Sequence, residues 1–131
     1  MNSKTLLILF ISSFLFSCQK SDEEETATLL GVQITANDRT IANEVFSTRC
    51  VTCHGVTGAG DGPASKGLSP HPRNFHDAAW QKSVSNEYIT KIICYGGPAV
   101  GKSAAMPANP DLTDKGGVVA VLTGKIRSFG K

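Results

Sequence analysis

The feature that most constrains how this chain can fold is a short run near its middle, Cys50-Val51-Thr52-Cys53-His54. Its two thiols stand three positions apart, and an imidazole follows the second directly. Two thiols at this spacing can each add to a vinyl group on one edge of a porphyrin, and the histidine can then bind the central iron. The C-x-x-C-H pattern therefore predicts a covalently attached c-type haem.

Two other uses of this motif stay open at the level of sequence. A C-x-x-C pair can be a redox dithiol, but that use is typical of a cytosolic chain with strands and helices alternating around the motif, a pattern not found here. The pair can also form half of a zinc site, for which only Cys94, His71 and His76 remain as further ligands. Haem attachment is favoured because residues 50–54 match the full C-x-x-C-H pattern and not only a pair of cysteines.

The start of the chain has the pattern of an exported protein. Lys4 precedes an apolar run that has the length of a signal peptide and is too short to span a membrane. The run ends in Leu15-Phe16-Ser17-Cys18, which resembles the lipobox of bacterial lipoproteins. We expect residues 1–17 to be removed and Cys18 to be lipidated, which would anchor the protein to a membrane. An ordinary signal peptide with an incidental cysteine is the alternative.

A strongly acidic stretch follows Cys18 and contains Asp22-Glu23-Glu24-Glu25. So polar a segment cannot bury a core, and residues 18–35 are predicted to form a flexible tether before a domain at 36–131. The stretch is similar to the export signal of Bacteroidota lipoproteins, which implies an outer-membrane anchor and a periplasmic or cell-surface location. A plain hydrophilic spacer is the competing interpretation.

Composition limits the size of the core and the class of partner. The 131 residues include 13 Lys/Arg and 11 Asp/Glu, a formal net charge of +2, which is far from the charge of a nucleic-acid binder. A single small domain is only marginally stable. We therefore expect a monomer in which the haem completes the apolar core and without which the chain folds poorly.

Cys94 has no cysteine left with which to form a disulfide once Cys18 is assigned to lipid and Cys50 and Cys53 are assigned to haem. Cys94 lies among apolar residues at helical spacing. It is predicted to be a buried, inert thiol.

Three stretches have apolar residues at helical spacing, and the fold class predicted is all-α. They run from about residue 39 to 50, from 86 to 95 and from 113 to 129. Asn37 or Asp38 is the expected N-cap of the first helix, and Ser85 that of the second. The segments between them, 55–83 and 96–112, show no periodicity and are predicted to wrap the haem as ordered loops.

The sixth ligand of the iron is expected in the second of these loops. Met106 is the one methionine outside the predicted signal peptide, and it stands among small residues and prolines. A lone methionine usually packs in a core, but the haem motif upstream favours ligation, and a thioether ligand raises the potential relative to a second histidine. His71 and His76 are the rival ligands.

From about Ile41 to Phe129, the chain resembles the class I bacterial cytochromes c. The segments that carry the resemblance are Cys50–Gly55, Gly58–Ala64, Pro72–Phe75 and Gly101–Ala108. The resemblance implies a cytochrome c fold with His54 as the proximal ligand and Met106 as the distal ligand. It also implies that the carbonyl of Pro63 accepts a hydrogen bond from the His54 ring.

Further positions follow from the same resemblance. Arg73 and Trp80 are candidates to bind a haem propionate, with ordinary surface and core roles as the alternative. Lys125 stands where the family often has an aromatic residue, so Phe46 is expected to pack on Leu122 or Phe129 instead. The implied function is a one-electron carrier rather than an enzyme, acting with unidentified donor and acceptor proteins of an exported respiratory or oxidoreductase chain. The alternatives are a haem subunit of a larger oxidoreductase and a haem enzyme or sensor with a labile sixth ligand.

Overall fold

The computed structural model describes residues 27–131, so the predicted signal peptide, Cys18 and the acidic stretch lie outside the described residues. Eight main segments follow one another: β1 (Ala27–Leu29), β2 (Val32–Ile34), α1 (Ala36–Val45), a π-helical turn (Phe46–Cys50), α2 (Val51–His54), α3 (Ala78–Ser83), α4 (Asn86–Tyr95) and α5 (Gly116–Ser128). Short 3-10 turns lie at Pro63–Ser65, Gly97–Val100 and Pro110–Leu112. This mostly helical architecture confirms the predicted all-α class. Between Ala27 and Lys131, no helix is long and apolar enough to cross a membrane.

The first helix begins earlier than the sequence predicted. Thr35 is its N-cap, and its hydroxyl accepts a hydrogen bond from the backbone N–H of Asp38 at 3.1 Å. The Asp38 carboxylate accepts in return from the backbone N–H of Thr35 at 2.9 Å. Asp38 is therefore the third helical residue of a capping box, and the prediction of Asn37 or Asp38 as the cap is wrong.

The same helix continues past Cys50, where it was predicted to end. A π-helical turn over Phe46–Cys50 leads directly into α2, and the chain leaves the helix at Gly55, whose φ is +76°. Turns of this kind inside α-helices are frequent at functional sites because they redirect the side chains that follow. Cys50, Cys53 and His54 are consequently all held on helical backbone.

The end of the predicted tether is folded. Residues 27–34 form a hairpin in which Ala27 pairs with Ile34 and Leu29 with Val32. Ile34 is only 1% exposed, and a Cβ at Gly124 of α5 would come within 3.1 Å of the Leu29 side chain. The tether prediction is wrong for residues 27–34 because their apolar side chains pack on a helix that lies far away in sequence.

The other two predicted helices are present with one shifted boundary. Ser85 caps α4, as predicted, by accepting from the backbone N–H of Tyr88 at 3.1 Å. The helix α5 begins at Gly116 rather than Thr113, because Thr113 closes a 3-10 turn and its hydroxyl donates to the carbonyl of Pro110 at 2.8 Å. The prediction of Thr113 as the start is therefore wrong.

Helix α3 was predicted to be part of a long loop. Its N-cap Asp77 accepts hydrogen bonds from the backbone N–H groups of Ala79 and Trp80 at 3.0 and 3.1 Å. An aspartate followed by two alanines was the sequence signal for this short helix. The helix places Trp80 against the hydrophobic core.

The core lies between α1, α4 and α5. Ala42 is 1% exposed, and the ring of Phe46 packs on Phe129 with 5.8 Å between centroids, one of the two contacts expected for Phe46. The ammonium group of Lys125 lies 4.8 Å from the centroid of the Phe46 ring. A cation over an aromatic face thus replaces a second aromatic residue at this position.

Candidate functional site

One cleft brings the predicted haem residues together. Cys50, Cys53 and His54 line one side of it, and Met106 lines it from the loop after α4. The cavity volume is about 280 Å³. Most of the remaining lining is apolar and includes Leu68, Phe75, Trp80, Ile89, Ile92 and Ile93. An apolar cleft that holds two thiols, an imidazole and a thioether has the chemistry required to enclose and attach a haem.

The environment of the motif thiols argues against the dithiol alternative. Burial raises the pKa of Cys50 to about 11, a change that the neighbouring Arg49 only partly opposes. Redox dithiols in C-x-x-C motifs depend on a thiol whose pKa is lowered. The structure therefore provides no activated thiolate at Cys50.

The zinc alternative gains no support either. Among residues 27–131, no group of three or more His, Cys, Asp or Glu side chains is placed to hold a metal ion. Cys94 is 5% exposed and lines a different depression, between α4 and α5. Burial raises the pKa of its thiol, and the prediction that Cys94 is buried is confirmed.

The ring of His54 is held from two directions. Its Nδ1 donates a hydrogen bond to the carbonyl of Arg73 at 3.2 Å, so the predicted bond to Pro63 is wrong. Its face stacks on Phe75, with 4.5 Å between centroids and 16° between planes. Because a carbonyl can only accept, Nδ1 carries the proton and Nε2 keeps a free lone pair. Burial also lowers the pKa of His54, which favours the neutral form that binds iron.

A glycine-rich loop closes the end of the motif helix. The backbone N–H of Gly60 donates to the carbonyl of His54 at 2.8 Å, and that of Gly62 donates to the carbonyl of Cys53 at 3.1 Å. A Cβ at Gly62 would come within 2.5 Å of the Thr52 carbonyl oxygen. This loop therefore satisfies the last carbonyls of α2, and the close approach requires glycine.

The loop that carries Met106 is fixed by its backbone. The Met106 carbonyl accepts from the N–H of Gly97 at 2.9 Å, and the Met106 N–H donates to the carbonyl of Ser103 at 3.2 Å. Gly96, at the end of α4, has a φ of +77°, and a Cβ there would lie 2.8 Å from the Met106 carbonyl oxygen. Gly96 and Gly97, which directly follow α4, therefore let this loop lie close against the helix.

Arg73 and Trp80, the propionate candidates, both line the cleft. The guanidinium carbon of Arg73 lies 5.8 Å from the Trp80 ring centroid, and its Nη1 lies 3.4 Å from the Asp77 carboxylate. The cation is exposed and already partly paired. Propionate binding by the two residues stays a prediction, and the ion pair of Arg73 with Asp77 is a contact that the sequence did not indicate.

The two rival histidines have different surroundings. His71 lines the same cleft as Met106. The Nε2 of His76 instead lies 2.8 Å from the carbonyl of Thr57, and its ring meets the edge of Phe129 at 5.8 Å. His76 therefore ties together two parts of the loop between α2 and α3, outside the cleft.

Phe75 is the residue of this site whose role sequence reasoning missed. It is 5% exposed and stacks with both His54 and Phe129, at 4.5 and 6.1 Å between centroids. The resemblance includes the segment that contains Phe75, but the pairing of its ring with His54 depends on how the loop after α2 folds back against that helix. No local pattern encodes that contact.

The comparisons with known proteins agree with this geometry. A family model described as Cytochrome c matches residues 40–116, which is more than half of the chain and includes the motif, Met106 and all but one of the residues that line the cleft. No curated protein matches the chain. Covalently bound haem c is the cofactor that this family implies, and the thiols, the neutral imidazole and the apolar walls of the cleft fit it. The chain belongs to the cytochrome c family and is a c-type haem protein that carries electrons.

Proposed function

We propose that this protein is a single-haem, one-electron carrier in which His54 and Met106 are the axial ligands of the iron. The observation that carries the proposal is that one cleft presents an imidazole and a thioether together with both attachment thiols. When bound, the haem supplies an iron that alternates between the ferric and ferrous states. The thioether of Met106 favours the ferrous state and so raises the potential.

The chain holds both ligands in place, and this favours a carrier over an enzyme. The Arg73 carbonyl and the Phe75 ring fix the orientation of His54. Backbone hydrogen bonds to Gly97 and Ser103 fix the Met106 segment. Apolar walls limit the access of solvent to the cleft, which is one way in which a protein tunes the potential of its cofactor. If both ligands stay in place, the coordination of the iron changes little when an electron is transferred. No position on the iron is then open to a substrate.

The exposed apolar surface favours transient partners over permanent incorporation into a larger complex. Within residues 27–131, the exposed large hydrophobic side chains are Leu30, Val32, Val56 and Tyr95. None of them lines the haem cleft. A permanent subunit would be expected to surround its haem edge with an apolar patch. We therefore propose that donor and acceptor proteins meet the cleft only during electron transfer.

The wild-type holoprotein is expected to act as a carrier in solution. It should cycle reversibly between its ferric and ferrous forms with small redox reagents, and potentiometry should follow a single one-electron curve. Peroxidase turnover should be negligible because the thioether occupies the position that peroxide needs. Wild-type turnover as fast as that of a Met106→Ala control, in which the position is open, would contradict the carrier function.

We further propose that the mature protein is lipid-anchored through Cys18 on the periplasmic or outer face of the outer membrane. Cys18→Ser is expected to release the haem protein from the membrane fraction or to block its processing, since the thiol is the acylation site. Fractionation followed by detection of covalent haem measures this, and a mutant that stays in the membrane with its haem would refute the anchor. Replacing residues 22–25 by alanine should then abolish protease accessibility on intact cells; unchanged accessibility would make this stretch a spacer.

A further inference from the structure

Arg49 stands directly before the first motif cysteine and connects the attachment helix to the loop that carries Met106. Its guanidinium donates two hydrogen bonds to the Asp111 carboxylate, from Nη1 to Oδ1 at 2.9 Å and from Nη2 to Oδ2 at 3.0 Å. Nη1 also donates to the side-chain oxygen of Asn109 at 3.2 Å. Such a bidentate pair is more directional than a lysine pair can be.

Asn109 connects the side chain of Arg49 to α4. While its side-chain oxygen accepts from Arg49, its side-chain NH₂ donates to the carbonyl of Ile93 at 2.8 Å. Its backbone N–H donates to the carbonyl of Cys94 at 2.9 Å. The segment that follows Met106 is thus tied to the attachment helix and to the last turn of α4 at the same residue.

The chain between these bonds and Met106 is short and stiff. Pro107 and Pro110 restrict the backbone on either side of Asn109. Leu112, one residue after Asp111, is 1% exposed and anchors the far end of the segment in the core. A movement at Asn109 or Asp111 is therefore transmitted to Met106 rather than absorbed by a flexible linker.

We propose that Arg49 is a positioning residue for the distal ligand, and that its bonds to Asp111 and Asn109 hold the Met106 loop against the attachment helix. The inference rests on the proposed ligation of iron by Met106. Arg49, Asn109 and Met106 all line the same cleft. The side chains of Arg49 and Asp111 are each 46% exposed, so the pair contributes little to global stability. The ion pair instead lowers the frequency with which the Met106 loop opens locally.

Hydrogen exchange on the holoprotein measures that opening. In Arg49→Gln and in Asp111→Asn, the amide of Asn109 is expected to exchange about two- to fivefold faster than in the wild type, the range that an exposed ion pair supports. Arg39→Gln is the matched control, because Arg39 is an exposed arginine of α1 that makes no side-chain hydrogen bond within residues 27–131. Exchange at the wild-type rate in both variants would overturn the inference.

Displacement of the sixth ligand gives a second readout. Imidazole added to the ferric Arg49→Gln protein should replace that ligand about two- to fivefold faster than in the wild type or in Arg39→Gln. Arg49→Lys keeps the charge but loses the bidentate hydrogen bonds to Asp111. It should therefore show most of the increase in displacement rate seen for Arg49→Gln. Full restoration of the wild-type rate by lysine would mean that charge alone acts, and would overturn the positioning role.

The inference and the proposed ligation fail in different ways. A wild type that lacks the near-infrared band given by a sulfur ligand on ferric haem would contradict ligation by Met106. The exchange rate of the Asn109 amide would still show whether Arg49 holds the Met106 loop in place, because the hydrogen bond from that amide to the Cys94 carbonyl does not involve the iron. A wild type that shows the band, with Asn109 exchange unchanged in Arg49→Gln, would overturn the role of Arg49 alone.

Discussion

Cys50→Ser and Cys53→Ser are each expected to lower the yield of haem-bearing protein to below about a tenth of wild type, because a small domain that loses a core-completing ligand falls below its stability threshold. Each change removes one of two thioether bonds. The lining of the cleft, which includes Ile89, Ile92 and Ile93, would then face solvent. Yield is measured as pigment that stays on the polypeptide after denaturing extraction with acid and organic solvent.

Cys94→Ala is the matched control for these two variants. It removes the third cysteine of the described residues, which is buried outside the haem cleft. It is expected to reduce stability slightly and to leave covalent haem at the wild-type ratio of one per chain. Full covalent haem in both Cys50→Ser and Cys53→Ser would contradict the attachment described above.

Met106→Ala is expected to produce the second large change, a fall in midpoint potential on the order of 0.1–0.2 V within the ~0.8 V range that axial ligands control. The soft donor that favours the ferrous state is lost, and the sixth position opens to added ligands. Because Met106 is half-buried and its loop is fixed through backbone bonds, the fold should persist. Potentiometry measures the shift, and circular dichroism checks the fold.

Met106→His is the informative comparison for this variant. It restores a sixth ligand but not a thioether, so it should keep the position closed while leaving the potential below that of the wild type. Potentials that are the same in the wild type and in Met106→Ala would mean that another group, such as His71 in the same cleft, is the sixth ligand.

The residues of the site were predictable where the chemistry is local. Haem attachment requires two thiols and an imidazole at fixed spacing, so Cys50, Cys53 and His54 could be identified from five consecutive residues. Met106 could be proposed as the sixth ligand because the predicted mature chain has no second thioether. Ser85 could be predicted as the N-cap of α4 because capping is also a local preference.

The features that sequence missed depend on contacts between distant segments. The carbonyl that holds His54 belongs to Arg73, nineteen residues away, and its identity follows from the path of a loop rather than from any motif. The hairpin at residues 27–34 follows a strongly polar stretch, and only its packing against α5 makes it part of the fold. The bridge from Arg49 to Asp111 spans 62 positions and could not be read from either residue alone.

Carbon monoxide binding by the ferrous wild-type protein tests the central claim most directly. If His54 and Met106 both bind the iron and the Met106 loop is held in place, carbon monoxide should bind slowly and weakly near neutral pH, while Met106→Ala should bind it at once. Rapid binding by the wild type, at the rate seen for Met106→Ala, would contradict the account, because it would mean that the thioether does not occupy the sixth position.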